Sequence, residues 1–167
     1  VIMGGSCSVE SETQIEETAR MVKEAGGHIL RGGVHKYRTN PYSTWHGIGA
    51  PDGTPSLEAM RHGLKLLVNA GRHYELPVIV EILDPSLVEL YEDEGVNCLQ
   101  IGEPNSRNTV LLERLRGTKL PVLHKRSAVV DAIDFLLWTE QMMVDGKDDI
   151  ILCERGVKGV NEKTTTR

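Results

Sequence analysis

Six basic side chains stand at or just past the ends of short apolar runs: Arg31, Lys36, Arg38, Lys125, Arg126 and Arg155. If those ends converge, they form a cationic pocket. Guanidinium groups would supply forked hydrogen bonds and ammonium groups point charges, a combination suited to phosphate and carboxylate. A small, multiply anionic metabolite is the guest this chemistry predicts. Glu81 and Glu154 occur at similar positions, either as partners that hold the cations in place or as general acid or base groups. Cys7, with His35 and His124 at two other run ends, offers donors for a divalent transition ion. A buried, inert thiol and two core histidines are the commoner outcome for such residues.

Positioning these groups at one place requires a particular arrangement of elements. Short runs rich in Val, Ile and Leu alternate with stretches of helical period, the pattern of successive βα units around a parallel sheet. Six strands are expected, at residues 1–3, 28–31, 77–81, 98–101, 121–125 and 149–153, bounded by Gly, Pro or Asn and buried on both faces. The first helix begins after Ser11 as N-cap and stops at Ala25-Gly26-Gly27, with Ile15, Ala19, Val22 and Ala25 facing the sheet. Further helices are expected at 56–72, 85–93, 106–115 and 128–143, with Leu136, Leu137 and Trp138 in the core.

Polar chemistry follows every one of these strands. An open doubly wound sheet binds ligands mainly at one switch point, whereas a (β/α)8 barrel collects the C-terminal ends of all its strands around one centre. The α/β fold class predicted is therefore the TIM barrel, of which this chain supplies about the first six strands. A complete barrel has eight strands in about 250 residues. Residues 1–167 thus read as a single catalytic-barrel segment, incomplete at its C-terminal end; the opening at Val1 rather than Met also suggests a piece of something longer.

Composition narrows the function classes. The chain has 167 residues, 19 Lys plus Arg against 24 Asp plus Glu, and a formal charge of -5, without a basic run. That balance argues against general binding of nucleic acid or membrane surfaces. Neither a membrane-spanning apolar stretch nor a secretion signal is recognisable. Three cysteines without C-x-x-C spacing disfavour a disulfide framework and fit a reducing cytoplasm.

Five segments are specific enough to carry a resemblance. They are Gly5-Ser6-Cys7-Ser8-Val9-Glu10-Ser11; Leu30 through Thr39, continued by Asn40-Pro41-Tyr42-Ser43; Gln100-Ile101-Gly102; His124-Lys125-Arg126; and Leu152-Cys153-Glu154-Arg155-Gly156. In this order they resemble the GPCSVES, RGGAFKPRTSPYSF, QIGARN, LLKRG and LCERG patterns of the 3-deoxy-D-arabino-heptulosonate 7-phosphate (DAHP) synthase family. The resemblance implies a (β/α)8 barrel that condenses phosphoenolpyruvate with erythrose 4-phosphate at the entry to aromatic amino acid biosynthesis, the shikimate pathway. It also implies a divalent metal (Mn, Co, Fe or Zn) and a homo-oligomer, dimer or tetramer.

By position, Arg31, Lys36, Lys125 and Arg155 would bind phosphoenolpyruvate, and Lys36 would also be the catalytic proton donor to its methylene carbon. Arg38 and Thr39 would hold the aldose phosphate, Cys7 would be one metal ligand, and Glu81, Gln100 and Glu154 would support the ligand-binding side chains. The family's remaining metal ligands, a His, a Glu and an Asp, would lie beyond this sequence. A relative, the synthase of 3-deoxy-D-manno-octulosonate 8-phosphate, takes arabinose 5-phosphate and carries the longer KANRS spacing. Lys36-Tyr37-Arg38-Thr39 has the shorter KPRT spacing, which favours the shorter aldose.

The chain departs from the family at identifiable places. Gly102-Glu103-Pro104-Asn105 stands where the family has GARN, so an Arg is replaced by a Pro that has no backbone N–H. Tyr37 and Ser6 replace prolines, Ser127 replaces Gly, and Val157-Lys158 replaces Ile-Arg. These changes define an alternative expectation, a degenerate barrel that binds an anionic metabolite or a partner protein without catalysis. Arg107 would compensate for the lost Arg if its loop turned it inward.

Overall fold

The computed structural model describes residues 1–155 and, as backbone only, 157–158 and 165–166. Gly156 lies outside the described residues. The sheet strands are β1 (Met3–Gly4), β2 (Ile29–Gly32), β3 (Val78–Glu81), β4 (Cys98–Ile101), β5 (Val122–Lys125) and β6 (Ile150–Cys153). The helices are α1 (Glu12–Glu24), α2 (Leu57–His73), α3 (Val88–Asp93), α4 (Thr109–Leu115) and α5 (Ala132–Met143). Separate from the sheet, Val157–Lys158 pairs antiparallel with Thr165–Thr166.

All pairings within the sheet are parallel, and the strands lie in sequence order from β1 to β6. Among the described residues no reversal of order occurs and no switch point of the doubly wound kind is present. Its faces differ. Leu30, Val78, Val80, Leu99, Ile101 and Val122 share one core with Ile15 and Ala19 of α1, Leu64 and Leu67 of α2, Leu111 and Leu112 of α4 and Met142 of α5. The opposite face carries a smaller cluster made only by strands and their ends: Ile79, Cys98 and Leu123, with Met3, Ile29 and Cys153 against them. One face under helices and one face turned inward is the layering of a barrel wall, here a curled half-barrel. Each wholly buried Leu or Ile of the larger core contributes on the order of 2 kcal/mol.

Local chemistry sets the element ends. Ser11 Oγ accepts from Gln14 N, Ser56 Oγ from Ala59 N, Asn108 Oδ1 from Leu111 N and Asp131 Oδ1 from Asp134 N. Each such cap is worth about 1 kcal/mol. These last two shorten the expected helices: Asn108 and Asp131 satisfy N–H groups that Ser106 and Ala128 cannot, so α4 and α5 begin at Thr109 and Ala132. The expected helix 85–93 opens as a 3-10 turn at Pro85–Leu87 before becoming α3.

Three packing expectations are corrected. Ala25 is the exposed C-cap of α1 instead of a sheet-facing residue. Leu136 and Leu137 are 47% and 53% exposed; only Trp138 of that trio packs against the core. Burial on both faces holds for β3 and β4 but not for β6, where Ile151 and Leu152 are 41% and 49% exposed at the sheet's edge.

Candidate active site

Strand period arranges the inward face in two levels. Ile29, Ile79, Cys98 and Leu123 form an apolar floor, and two residues later on the same strands stand Arg31, Glu81, Gln100 and Lys125. The parallel register sets Glu81 beside Gln100 and Lys125 beside Cys153. The polar level is thus built by strands, with backbone geometry fixed by the ladder on either side.

Three of the cations expected to bind phosphoenolpyruvate gather here. Lys125 is half-buried, and burial is the main reason its ammonium loses its proton more readily than an ordinary lysine; Arg31 and Arg155 nearby push the same way. A cluster of like charges around a half-buried ammonium is costly in the empty site and is relieved by an anion. Among the described residues, Arg31 and Lys125 enter no salt bridge.

Lys36 differs. Its ammonium donates to the Glu81 carboxylate, and the two residues are only 6% and 8% exposed. Two glycines permit this pair. A Cβ on Gly102 would lie 1.9 Å from Glu81 Oε1, and a Cβ on Gly33 would lie 2.6 Å from Lys36 Cδ and 2.8 Å from the Cys7 carbonyl oxygen. The latter contact places Lys36, Gly33 and the Cys7 backbone side by side. Behind the pair, the buried Tyr91 hydroxyl donates to the Glu81 carbonyl oxygen at 3.2 Å.

Arg126 and Glu154 form a second, outward unit. Arg126 Nε donates to both Glu154 oxygens at 2.7 and 3.0 Å, and Nη1 donates to the Val130 carbonyl at 2.6 Å. Arg126 is thereby committed to the protein and leaves the expected pocket. Glu154 supports this guanidinium, and its Oε1 also accepts from the Arg155 backbone N–H at 3.0 Å.

The loop after β2 folds back through Lys36 N–H donating to the His46 carbonyl at 2.7 Å. Within it Arg38 Nε donates to the Trp45 carbonyl at 3.3 Å, and its guanidinium lies 5.1 Å from the Trp45 ring centroid. Trp45 therefore aims Arg38, while Thr39 beside it is exposed. Arg107 is likewise exposed, and Pro104 sits in an exposed turn, Glu103–Asn105.

His124 is a core residue. It is wholly buried beneath α5, where Nε2 donates to the Ser106 carbonyl at 3.0 Å and Nδ1 lies 2.9 Å from Thr139 Oγ1. Burial holds its pKa below the ordinary value, with the Ser106 hydrogen bond opposing. The His35 pKa is likewise held below its ordinary value, chiefly by burial and then by His46 nearby. Cys7 is exposed, and among the described residues no three His, Cys, Asp or Glu side chains gather into a group able to hold a metal ion. Cys7 with His35 and His124 is accordingly not a metal centre.

Of the further polar groups at this rim, Gln100 and His35 were named from the sequence, whereas Ser6 and Ser8 escaped that reading as site groups. The buried polar atoms Ser6 Oγ, Ser8 Oγ, His35 Nδ1 and Gln100 Nε2 have no hydrogen-bond partner among the described residues. All four lie at or after the C-terminal ends of β1, β2 or β4, and unpaired buried polar groups of this kind mark a place for a ligand or water. The hydroxyls of the Ser6-Cys7-Ser8 segment were the available signal. Glu103 was missed as a partner of both Ser127, whose hydroxyl donates to Glu103 Oε1 at 2.7 Å, and Arg155, whose Nη1 is 3.6 Å from Glu103 Oε2.

Comparison with known proteins bears on this arrangement. The DAHP synthetase I family matches residues 1–167. A curated relative, phospho-2-dehydro-3-deoxyheptonate aldolase of Thermotoga maritima, is 36% identical over 98% of this chain and 44% of its own length. The 2-dehydro-3-deoxyphosphooctonate aldolase of Desulfotalea psychrophila is 29% identical over 93% of this chain and 54% of its own. Among solved structures, that of the Thermotoga maritima phospho-2-dehydro-3-deoxyheptonate aldolase (DAHP synthase) aligns with a TM-score of 0.80 and 33% identity over 98% of this chain and 43% of that one. A truncated form of the 3-deoxy-D-arabino-heptulosonate 7-phosphate synthase from the same organism gives 0.77 and 30% over 98% and 54%. The chain therefore spans about half the length of the relatives it matches.

Proposed function

Because the chain belongs to the DAHP synthetase I family, we propose that the protein condenses phosphoenolpyruvate with erythrose 4-phosphate in an aldol-type reaction that yields DAHP and phosphate. It would be a 3-deoxy-7-phosphoheptulonate synthase, a transferase at the first step of the shikimate pathway. The observation that carries this reading is the polar level above the apolar floor, where Lys125 stands among Arg31 and Arg155. Charges so concentrated offset the repulsion between two phosphorylated reactants and hold them within reacting distance.

Arg31, Lys125 and Arg155 are the proposed contacts of phosphoenolpyruvate. Lys36, steadied by Glu81, is the proposed proton-transfer group and a further contact of the same substrate. Arg38, steered by Trp45, and Thr39 are the proposed contacts of the aldose phosphate. Gln100 offers its unpaired amide donor from the same level. A divalent metal would polarise the aldehyde carbonyl. Cys7 is the proposed donor from this chain, but the described residues do not make a metal centre by themselves.

We further propose residues 1–167 as one catalytic-barrel segment acting in the cytoplasm within a homo-oligomer, a dimer or tetramer. Among the described residues no helix is long and apolar enough to cross a membrane.

The test is direct. Purified full-length protein with Mn²⁺ or Co²⁺ should consume phosphoenolpyruvate and release phosphate only when erythrose 4-phosphate is present. Preference for arabinose 5-phosphate would move it to the octulosonate branch. Consumption of neither aldose, with phosphoenolpyruvate still raising thermal stability, would leave a non-catalytic anion binder.

A further inference from the structure

The turn after β4 brings a carboxylate to Arg155, one of the cations proposed above to bind substrate. Glu103 opens the turn Glu103–Asn105, directly after Gly102, whose Cα is covered by the Glu81 carboxylate. Its oxygens go to two different loops. Oε1 accepts from Ser127 Oγ at 2.7 Å after β5, and Oε2 lies 3.6 Å from Arg155 Nη1 after β6. One side chain thus bridges three consecutive strand ends.

The other cations of the rim show why this matters. Lys36 is neutralised by Glu81 and Arg126 by Glu154. Arg155 receives Glu103, so of these cations Arg31 and Lys125 are the neighbouring pair that enters no salt bridge among the described residues. Pro104 contributes no backbone N–H to an anion, and it fixes φ immediately after Glu103, so the turn is stiff where the carboxylate is carried. Ser127 holds one carboxylate oxygen while the other faces Arg155. The Glu103 and Ser127 side chains therefore act together, although they belong to different loops.

We infer that Glu103 is an internal anion that occupies the Arg155 side of the substrate pocket and sets its affinity and specificity. An incoming phosphate or carboxylate must share Arg155 with it or displace it. The inference rests on the proposed role of Arg155 in binding an anionic substrate. It predicts a weaker hold on multiply charged ligands than the number of basic residues suggests, because a fixed carboxylate at the rim repels the highest charge states most.

The experiment is calorimetric titration of the full-length protein with inorganic phosphate and with phosphoenolpyruvate at low salt. The Glu103→Gln variant keeps an acceptor for Ser127 and removes the charge. Its affinity for both ligands should rise about tenfold, with the gain shrinking as salt is added. In the Arg155→Gln background, adding Glu103→Gln should give no comparable gain. Glu103→Ala serves as a second variant, and thermal melting confirms folding of each. Binding of phosphoenolpyruvate by the unaltered protein with no tightening in either Glu103 variant would overturn the inference and leave the proposed function standing. An equal gain with and without Arg155 would also overturn it. No binding of either anion by any form would overturn both.

Discussion

The ammonium of Lys36 and the carboxylate of Glu81 meet with both side chains shut away from water, across 45 positions of sequence. Burying such a pair costs desolvation that its own attraction only partly offsets. Removing one member leaves the other charged and unpaired in the interior. Lys36→Met should therefore destabilise the protein by about 3–5 kcal/mol as well as abolish turnover. Combining it with Glu81→Gln should recover part of the stability and none of the activity. Denaturant melts alongside phosphate release would measure both; normal turnover by Lys36→Met would exclude the lysine from chemistry.

Gly102→Ala tests the same pair without touching either charge. The added methyl requires the space now held by Glu81 Oε1. The carboxylate must move and Lys36 with it. Turnover is expected to fall about tenfold while phosphoenolpyruvate affinity, proposed above to rest also on Arg31, Lys125 and Arg155, falls less. A crystal structure of the variant with Glu81 unmoved would refute the steric account.

Lys125 gives the site an alkaline limit. Burial, then Arg31 and Arg155, lower its pKa in the folded protein, so the charged form that an anion needs is lost below the usual lysine range. Affinity for phosphoenolpyruvate should decline as pH rises through that depressed value, and the unliganded protein should gain stability over the same interval because its unfolded form holds the proton longer. Lys125→Arg should move the decline in affinity to higher pH. An unmoved profile would assign the limit to another group.

His124 gives the fold an acid sensitivity away from ligand chemistry. Its pKa is lowered in the folded state, so the unfolded chain takes up the proton first. Stability should be fully present above about pH 6.5 and decline as pH falls toward the folded value. Thr139→Val, which strips the partner from Nδ1, should cost about 1–3 kcal/mol and leave phosphoenolpyruvate affinity unchanged. Urea titrations from pH 4 to 8 would show whether this decline disappears in His124→Gln.

Much of this architecture was legible in the chain itself. The strands announce themselves as apolar runs between Gly, Pro and Asn, and Ser11 and Ser56 mark where α1 and α2 begin. The starts of α4 and α5 were misplaced because Ser106 and Ala128 sit among other polar or small residues, and only the folded backbone shows that Asn108 and Asp131 cap. Leu136 and Leu137 were misread because α5 is apolar on more than one side, so periodicity cannot say which side is covered. Within the site, the alternation of strand residues foretells that Arg31, Glu81, Gln100 and Lys125 share a face. It cannot foretell which carboxylate takes which cation. That choice depends on rotamers and loop contacts, which give Glu81 to Lys36, Glu154 to Arg126 and Glu103 to Arg155.

The hydrogen bond from Tyr91 to the main chain of Glu81 ties the helix-covered core directly to the residue that pairs with Lys36 on the inward face. Repacking around α3 that shifts this phenol by a fraction of an ångström would be felt by the lysine on the other side. Substitutions in the outer core, in what looks like ordinary filler, can therefore shift the Lys36–Glu81 pair without a single rim residue being exchanged.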